Sequence, residues 1–148
     1  GERDTTLDSS VTTLYVYGIL DAKDSRVQNT IDALTRNLWI KTGIGGVARY
    51  QNDLYRRASS DIPGNPWVIS TLRLARWYIA ASTQQRDLTP ALDILNWGVK
   101  HALPSGALPE QLDLYTGSPI SATPLLWSHA EYVQAVSEYI TKIGELST

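Results

Sequence analysis

Asn65-Pro66-Trp67-Val68-Ile69-Ser70-Thr71-Leu72-Arg73-Leu74-Ala75-Arg76-Trp77-Tyr78-Ile79-Ala80-Ala81 is the stretch whose reading decides the fold. Val68, Ile69, Leu72, Ala75 and Ile79 recur at the spacing of one helix face. The stretch opens on a residue type that caps helices, followed by proline, whose missing N–H is harmless in a first turn. The same pair recurs at Thr89-Pro90 and Thr123-Pro124. These starts predict three helices. The first runs to about residue 81. The second runs to about residue 102 through Ala91, Leu92, Leu95 and Val99. The third runs to about residue 143 through Leu126, Ala130, Val133, Val136 and Ile140. Toward the N-terminus, Val27, Ile31, Leu34 and Leu38 mark a helix over residues 25–40, capped by Asp24 or Ser25 and stopped by Gly43, Gly45 and Gly46. Residues 9–20 carry a further helical pattern. No stretch reads as a strand and there is no exact internal repeat, so the fold class is all-α with about five helices. Helices separated by unequal loops suit part of a helical toroid better than a closed bundle. Such a part exposes an apolar flank, which predicts a partner: the rest of the same protein, or a second copy.

Composition narrows the function. The chain has 148 residues, 43% of them hydrophobic and 19% charged, with a net charge of −2. That is a globular composition without the basic footprint of a nucleic-acid binder. No apolar run approaches the roughly 18 residues that would predict a membrane span. Cysteine is absent, which removes disulfides, thiol nucleophiles and thiolate metal sites. Methionine is absent even at position 1, and no leader pattern is visible. The expectation is a processed product or a piece of something longer, with the compartment (cytoplasmic or secreted) left open. Phenylalanine is absent too, so five Trp and eight Tyr supply the aromatic volume. Their faces suit sugar rings as well as helical cores.

Residues 105–113, Ser-Gly-Ala-Leu-Pro-Glu-Gln-Leu-Asp, form a Gly- and Pro-punctuated loop between two helices and carry Glu110, with Gln111 beside it as an orienting amide. A loop carboxylate on a helical scaffold suits a general base. Alone it reads more readily as a solvated surface charge. Residues 43–63 make a long polar loop carrying Arg49, Asp53, Arg56, Arg57 and Asp61, and loops of that length tend to be functional. Arg49 offers a planar fork for hydroxyls or a carboxylate, or else an ordinary ion pair with Asp53. Trp67 and Trp127 stand at helix entrances, where they line a site or simply pack. His101 and His129 lack a spaced ligand set, so no metal is expected. Gly43-Ile44-Gly45-Gly46 lacks the lysine and preceding strand of a phosphate loop, and no serine sits in a nucleophile elbow. Glu131 and Asp113 read as supporting groups.

Four segments in order, G-G-V-A-R-Y-Q-N-D-L-Y (45–55), P-G-N-P-W (63–67), L-P-E-Q-L-D (108–113) and S-A-T-P-L-L-W-S-H-A-E-Y (121–132), resemble the glucoamylase family, glycoside hydrolase family 15. The prokaryotic members, which include glucodextranases and some trehalases, are most alike in style. The similarity runs from Gly43 to Tyr139. It implies the C-terminal part of an (α/α)6 barrel catalytic domain over residues 1–148, supplying roughly its last five helices, with the N-terminal part lying outside this sequence. It implies that Glu110 is the general base of an inverting exo-hydrolysis releasing glucose from α-linked oligo- or polysaccharides, without a cofactor. Arg49 would bind the sugar at the cleaved end, Trp127 would lie against that sugar and Trp67 would line the entrance. Asp53 and Asn65 fall inside matching motifs, and Gln111 neighbours the base. The family's general acid lies on an earlier segment, and no other glutamate here has a matching context. These residues alone are therefore expected to be inactive without the N-terminal portion or a second chain that supplies it. The alternative is a non-catalytic carbohydrate-binding or regulatory module of the same fold. The linkage cleaved (α-1,4, α-1,6 or trehalose) stays open.

Overall fold

A computed structural model describes residues 4–147. A 3₁₀ turn (Ser9–Thr12) runs into α1 (Thr13–Val16), followed by α2 (Ser25–Leu38), two-residue strands β1 (Val47–Ala48) and β2 (Pro66–Trp67), α3 (Val68–Ala81), a second 3₁₀ turn (Gln85–Leu88), α4 (Thr89–Lys100) and α5 (Leu126–Glu145). The helix expected over residues 9–20 is cut short. The N–H groups of Gly18 and Ile19 bond back to the carbonyls of Tyr15 and Leu14, with Gly18 at φ +68°, which closes the chain into a left-handed helix stop. Asp24 caps α2 as expected, its Oδ1 accepting the Arg26 N–H at 2.8 Å. α2 ends at Leu38, because Trp39 and Ile40 turn away to pair with the backbone at Gly46 and Val47.

The shared Pro-led helix start needs correction. Pro90 does lie in the first turn of α4, but the cap position is Leu88, and the Thr89 hydroxyl donates to the Arg86 carbonyl. α3 begins only at Val68, with Pro66 in β2 and Asn65 bonded elsewhere. α5 begins at Leu126, two residues after the cis Thr123-Pro124 bond.

α3 is the central helix. Val68, Ile69, Leu72, Leu74, Ala75 and Ile79 are all buried, so it is apolar nearly all round, as a helix with neighbours on several sides must be. It packs against α4 and α5, and Gly98 of α4 admits the Tyr132 ring of α5, where a Cβ would lie 2.9 Å from the ring. Between α3 and α5 runs a charged seam. Arg76 holds Glu138 in a bidentate pair (2.8 and 2.6 Å) and Glu131 at 2.6 Å, and Arg73 approaches Glu131 at 3.7 Å.

Most of the apolar stripe of α5 faces outward. Leu126, Val133 and Ile140 are 81%, 68% and 64% exposed. Of the expected residues Val136 packs inward, on a face with Ser128, Glu131, Tyr132 and Ala135. Hydrophobic spacing identifies an apolar face but not its partner, and here the arginine seam claims the opposite side of the helix. No helix among the described residues is long and apolar enough to cross a membrane.

Candidate active site

The motif-bearing loops lie side by side as extended backbone. Val47 opposes Trp67 in the β1–β2 pair, and Trp67 opposes Gln111 in an antiparallel bridge. The Val68 N–H donates to the Glu110 carbonyl (3.1 Å) and the Leu112 N–H to the Pro66 carbonyl (3.0 Å). The ribbon thus sets the Arg49, Trp67 and Glu110 segments next to one another, though they are far apart in sequence.

On this ribbon the polar residues form one connected knot. Asp53, 1% exposed, accepts both Arg49 Nε (2.9 Å) and Nη2 (2.8 Å) and also the Tyr55 N–H (3.0 Å). Arg49 also donates to the Tyr50 hydroxyl at 3.2 Å, and its guanidinium stacks 4.3 Å from the Trp67 ring and 4.6 Å from Tyr50. Burial works against the charge of Arg49, but the bonds and charge of Asp53 outweigh it and hold the pKa above the ordinary arginine value. The arginine stays about one-third exposed (34%), fixed along one edge and open along the other. Beneath it, Asn65 Nδ2 donates to Gln111 Oε1 and to the Arg56 carbonyl, both at 2.8 Å, while its Oδ1 accepts the Ala58 N–H at 2.9 Å. That amide is fully used in holding the loop together.

Glu110 combines a fixed backbone with an uncommitted carboxylate. Its N–H donates to the Ala122 carbonyl at 2.9 Å, and its carbonyl is held by Val68. Its Oε2 is buried without a hydrogen-bond partner, as are Gln111 Nε2 and Trp67 Nε1. Buried polar atoms normally find partners, and these three unpartnered ones lie on neighbouring residues of one ribbon.

The family model for glycosyl hydrolases family 15 matches residues 1–137. The chain belongs to glycosyl hydrolase family 15. It is 32% identical over 145 residues to an uncharacterized glycosyl hydrolase of Methanocaldococcus jannaschii, covering 91% of this chain and 22% of that protein. It is 30% identical over 133 residues to an isomaltose glucohydrolase of Kribbella flavida, covering 82% of this chain and 31% of that protein. Among solved structures, a bacterial glucoamylase complexed with acarbose matches with a TM-score of 0.79 at 28% identity, over 93% of this chain and 21% of that one. The helices match part of the (α/α)6 barrel of glucoamylases, and this family 15 chain spans between about a fifth and a third of the length of these relatives.

Of the family 15 site residues expected from sequence, Arg49, Asp53, Asn65, Trp67, Glu110 and Gln111 come together on the ribbon. Trp67 is only 6% exposed and lies under Arg49. Trp127 stands apart from that knot. It is 56% exposed in the first turn of α5, with the Arg73 guanidinium 5.2 Å from its ring. Asp113 folds into its own turn, accepting the Tyr115 and Thr116 N–H groups. No group of three or more metal-ligating side chains occurs among the described residues.

Two residues next to Trp127 escaped the sequence reading. The Ser128 hydroxyl donates to the Pro109 carbonyl at 2.8 Å, and His129 Nε2 accepts the Leu108 N–H at 2.9 Å. From sequence the histidine reads only as a candidate metal ligand. Its signal is its place as the fourth residue of a helix that follows the Glu110 loop.

Proposed function

We propose that residues 1–148 form the C-terminal part of a family 15 catalytic barrel and supply the general base, Glu110, for inverting exo-hydrolysis of α-glucosidic bonds that releases glucose. One observation carries this reading: the Glu110 main chain is bonded on both sides while its half-buried carboxylate takes no hydrogen bond from the protein. A general base needs that combination, a fixed position together with a lone pair free for water.

In this mechanism Glu110 takes a proton from a water molecule. The water oxygen bonds to the anomeric carbon on the face opposite the leaving group, and the glycosidic C–O bond breaks. A second carboxyl group, outside these residues, protonates the departing oxygen. Inverting enzymes hold the two carboxyls about 6.5–9.5 Å apart to leave room for the water. Arg49 grips hydroxyls of the terminal glucose with the edge that Asp53 leaves open. Trp127 offers its exposed face to that sugar. Trp67 backs Arg49, and Asp53, Asn65 and Gln111 keep the arginine and the base in register. An isomaltose glucohydrolase and a glucoamylase among the similar proteins support an α-glucoside as substrate. The exposed stripe of α5 suits burial against the remainder of the barrel, which also brings the acid.

The test is Glu110→Gln in the complete protein. Turnover should fall by about 10²–10⁴-fold, the usual worth of a positioned base, with an unchanged unfolding midpoint. Near-normal turnover would overturn the assignment.

A further inference from the structure

From the Leu108 N–H to the Glu110 carbonyl, every backbone polar group has a partner, which permits a full accounting of what holds the base. The Leu108 carbonyl takes the Leu125 N–H at 2.9 Å, the Glu110 N–H goes to Ala122, and the Glu110 carbonyl takes the Val68 N–H. The two remaining groups are held by side chains rather than main chain. The Leu108 N–H goes to His129 Nε2, and the Pro109 carbonyl to the Ser128 hydroxyl. Pro109 has no N–H of its own, so the peptide units flanking it can be tied only through these neighbours.

We propose that Ser128 and His129 are positioning residues that aim Glu110. This rests on the reading of Glu110 as the base and goes beyond it. Ser128 is 0% exposed, so its hydroxyl has no water to fall back on, and it spends its proton on the peptide just before the base. His129 must present an unprotonated Nε2 to Leu108, which places the ring proton on Nδ1. Both residues sit in the first turn of α5, a helix clamped to α3 through Arg76. α3 in turn offers its first N–H to the Glu110 carbonyl. The base is therefore strung between the starts of two mutually anchored helices, and the two side chains form the α5 end of that suspension. Arg49, which grips the sugar, hangs on Asp53 and not on α5. Trp127 lies on α5 itself, which Arg76 keeps anchored to α3, so cutting the two ties from α5 to the loop should disturb water activation without disturbing sugar binding.

The experiment uses the complete protein with a maltooligosaccharide and isomaltose as substrates, and compares His129→Leu, His129→Gln, Ser128→Ala, Glu110→Ala and the Glu110→Ala/His129→Leu double variant. His129→Leu removes the acceptor and should lower kcat by about 10- to 100-fold, since a displacement near 1 Å at a reacting group costs about 100-fold. KM should stay within about twofold, because the interaction lost acts on the chemical step alone. His129→Gln restores an acceptor oxygen at similar reach and should recover most of the loss. Ser128→Ala, the gentler change, should show the same kcat-only pattern at smaller size and serves if His129→Leu does not fold. The double variant should be no slower than Glu110→Ala alone, as residues acting through one another are not additive. Multiplying losses in the double variant, a loss confined to KM, or a His129→Gln variant as slow as His129→Leu would each overturn the proposal. Near-normal turnover of Glu110→Ala would instead overturn the reading of the base itself, so the two failures are distinguishable.

Discussion

Arg49 and Asp53 should respond very unequally to truncation, because one is buried and the other is not. Arg49→Ala leaves the Asp53 carboxylate 1% exposed, with the Tyr55 N–H as its remaining hydrogen-bond partner, after losing two charge-assisted bonds of 2.8–2.9 Å. Stranding a buried charge costs about 3–5 kcal/mol. The surviving Tyr55 bond and water entering where the arginine stood set the figure near the lower end, about 3 kcal/mol. Asp53→Asn keeps the side-chain shape and one acceptor, and the guanidinium it releases is already one-third exposed and can hydrate, so about 1–2 kcal/mol is expected. Replacing both with alanine and asparagine should recover about 2 kcal/mol relative to the sum, since the asparagine no longer strands a charge. The measurement is a double-mutant cycle on urea midpoints of the complete protein, with KM recorded in parallel. An Arg49→Ala variant as stable as the parent but with raised KM would refute the reasoning, because it would make the arginine a substrate clamp with no structural role. Equal costs for the two single variants would refute the burial asymmetry.

Three further outcomes follow from the packing. Gly46→Ala should destabilise by about 2–4 kcal/mol on thermal unfolding, because Gly46 sits at φ +92° and a Cβ would lie 2.9 Å from the Pro66 ring and 3.0 Å from Trp97; Gly43→Ala, with nothing within 4 Å, should be nearly neutral. Val133→Lys and Ile140→Lys, on exposed positions of α5, should each cost the complete protein about 1–3 kcal/mol if the stripe is buried against the rest of the barrel; shifts within about 0.5 kcal/mol would show that it faces water. Burial lowers the pKa of His101 below the imidazole value of 6.5, against a weaker upward pull from its bond to the Trp97 carbonyl. The unfolded chain therefore takes up the proton first as pH falls, so this contribution to stability is complete above 6.5 and fades as pH drops through and below it. His101→Gln should flatten that part of the midpoint-versus-pH curve, and an unchanged slope would refute the assignment.

Much of this was legible in the sequence where the signal was periodic or local. The apolar spacing of α2 and α3 and the Asp24 cap are local facts, and they survive folding, whereas α4 buries Ala91 and Leu95 but leaves Leu92 and Val99 exposed, and α2 ends at Leu38, ahead of the glycines expected to stop it. The motifs were legible as a set, and Arg49, Asp53, Asn65, Trp67, Glu110 and Gln111 do converge. The ribbon that joins them was not legible. Strands of two residues are shorter than the period that would reveal them, and their pairing is a long-range choice. The orientation of α5 was not legible for a related reason. Its inner face carries Ser128, Glu131 and a tyrosine, polar residues that only their partners on α3 and in the Glu110 loop make acceptable inside.

The misread helix caps explain how the site is built. Asn65 would make a good N-cap, yet α3 starts three residues later with an extended Trp67 at the cap position and no side-chain cap. The competition is decided by burial. A 1%-exposed amide cannot leave its donors and acceptor unpaired, and the Ala58, Arg56 and Gln111 bonds satisfy all of them, whereas capping would satisfy one. The helix is not left bare by this. Its first N–H is taken by the Glu110 carbonyl, and Thr71 reaches back to accept the Val47 N–H and donate to the Trp67 carbonyl. The capping function has moved from the preceding side chain to the loop that carries the carboxylate. Folding of α3 and placement of Glu110 therefore become one event: the helix start is completed only when the loop is in position, and the loop is in position only when the helix start offers its N–H.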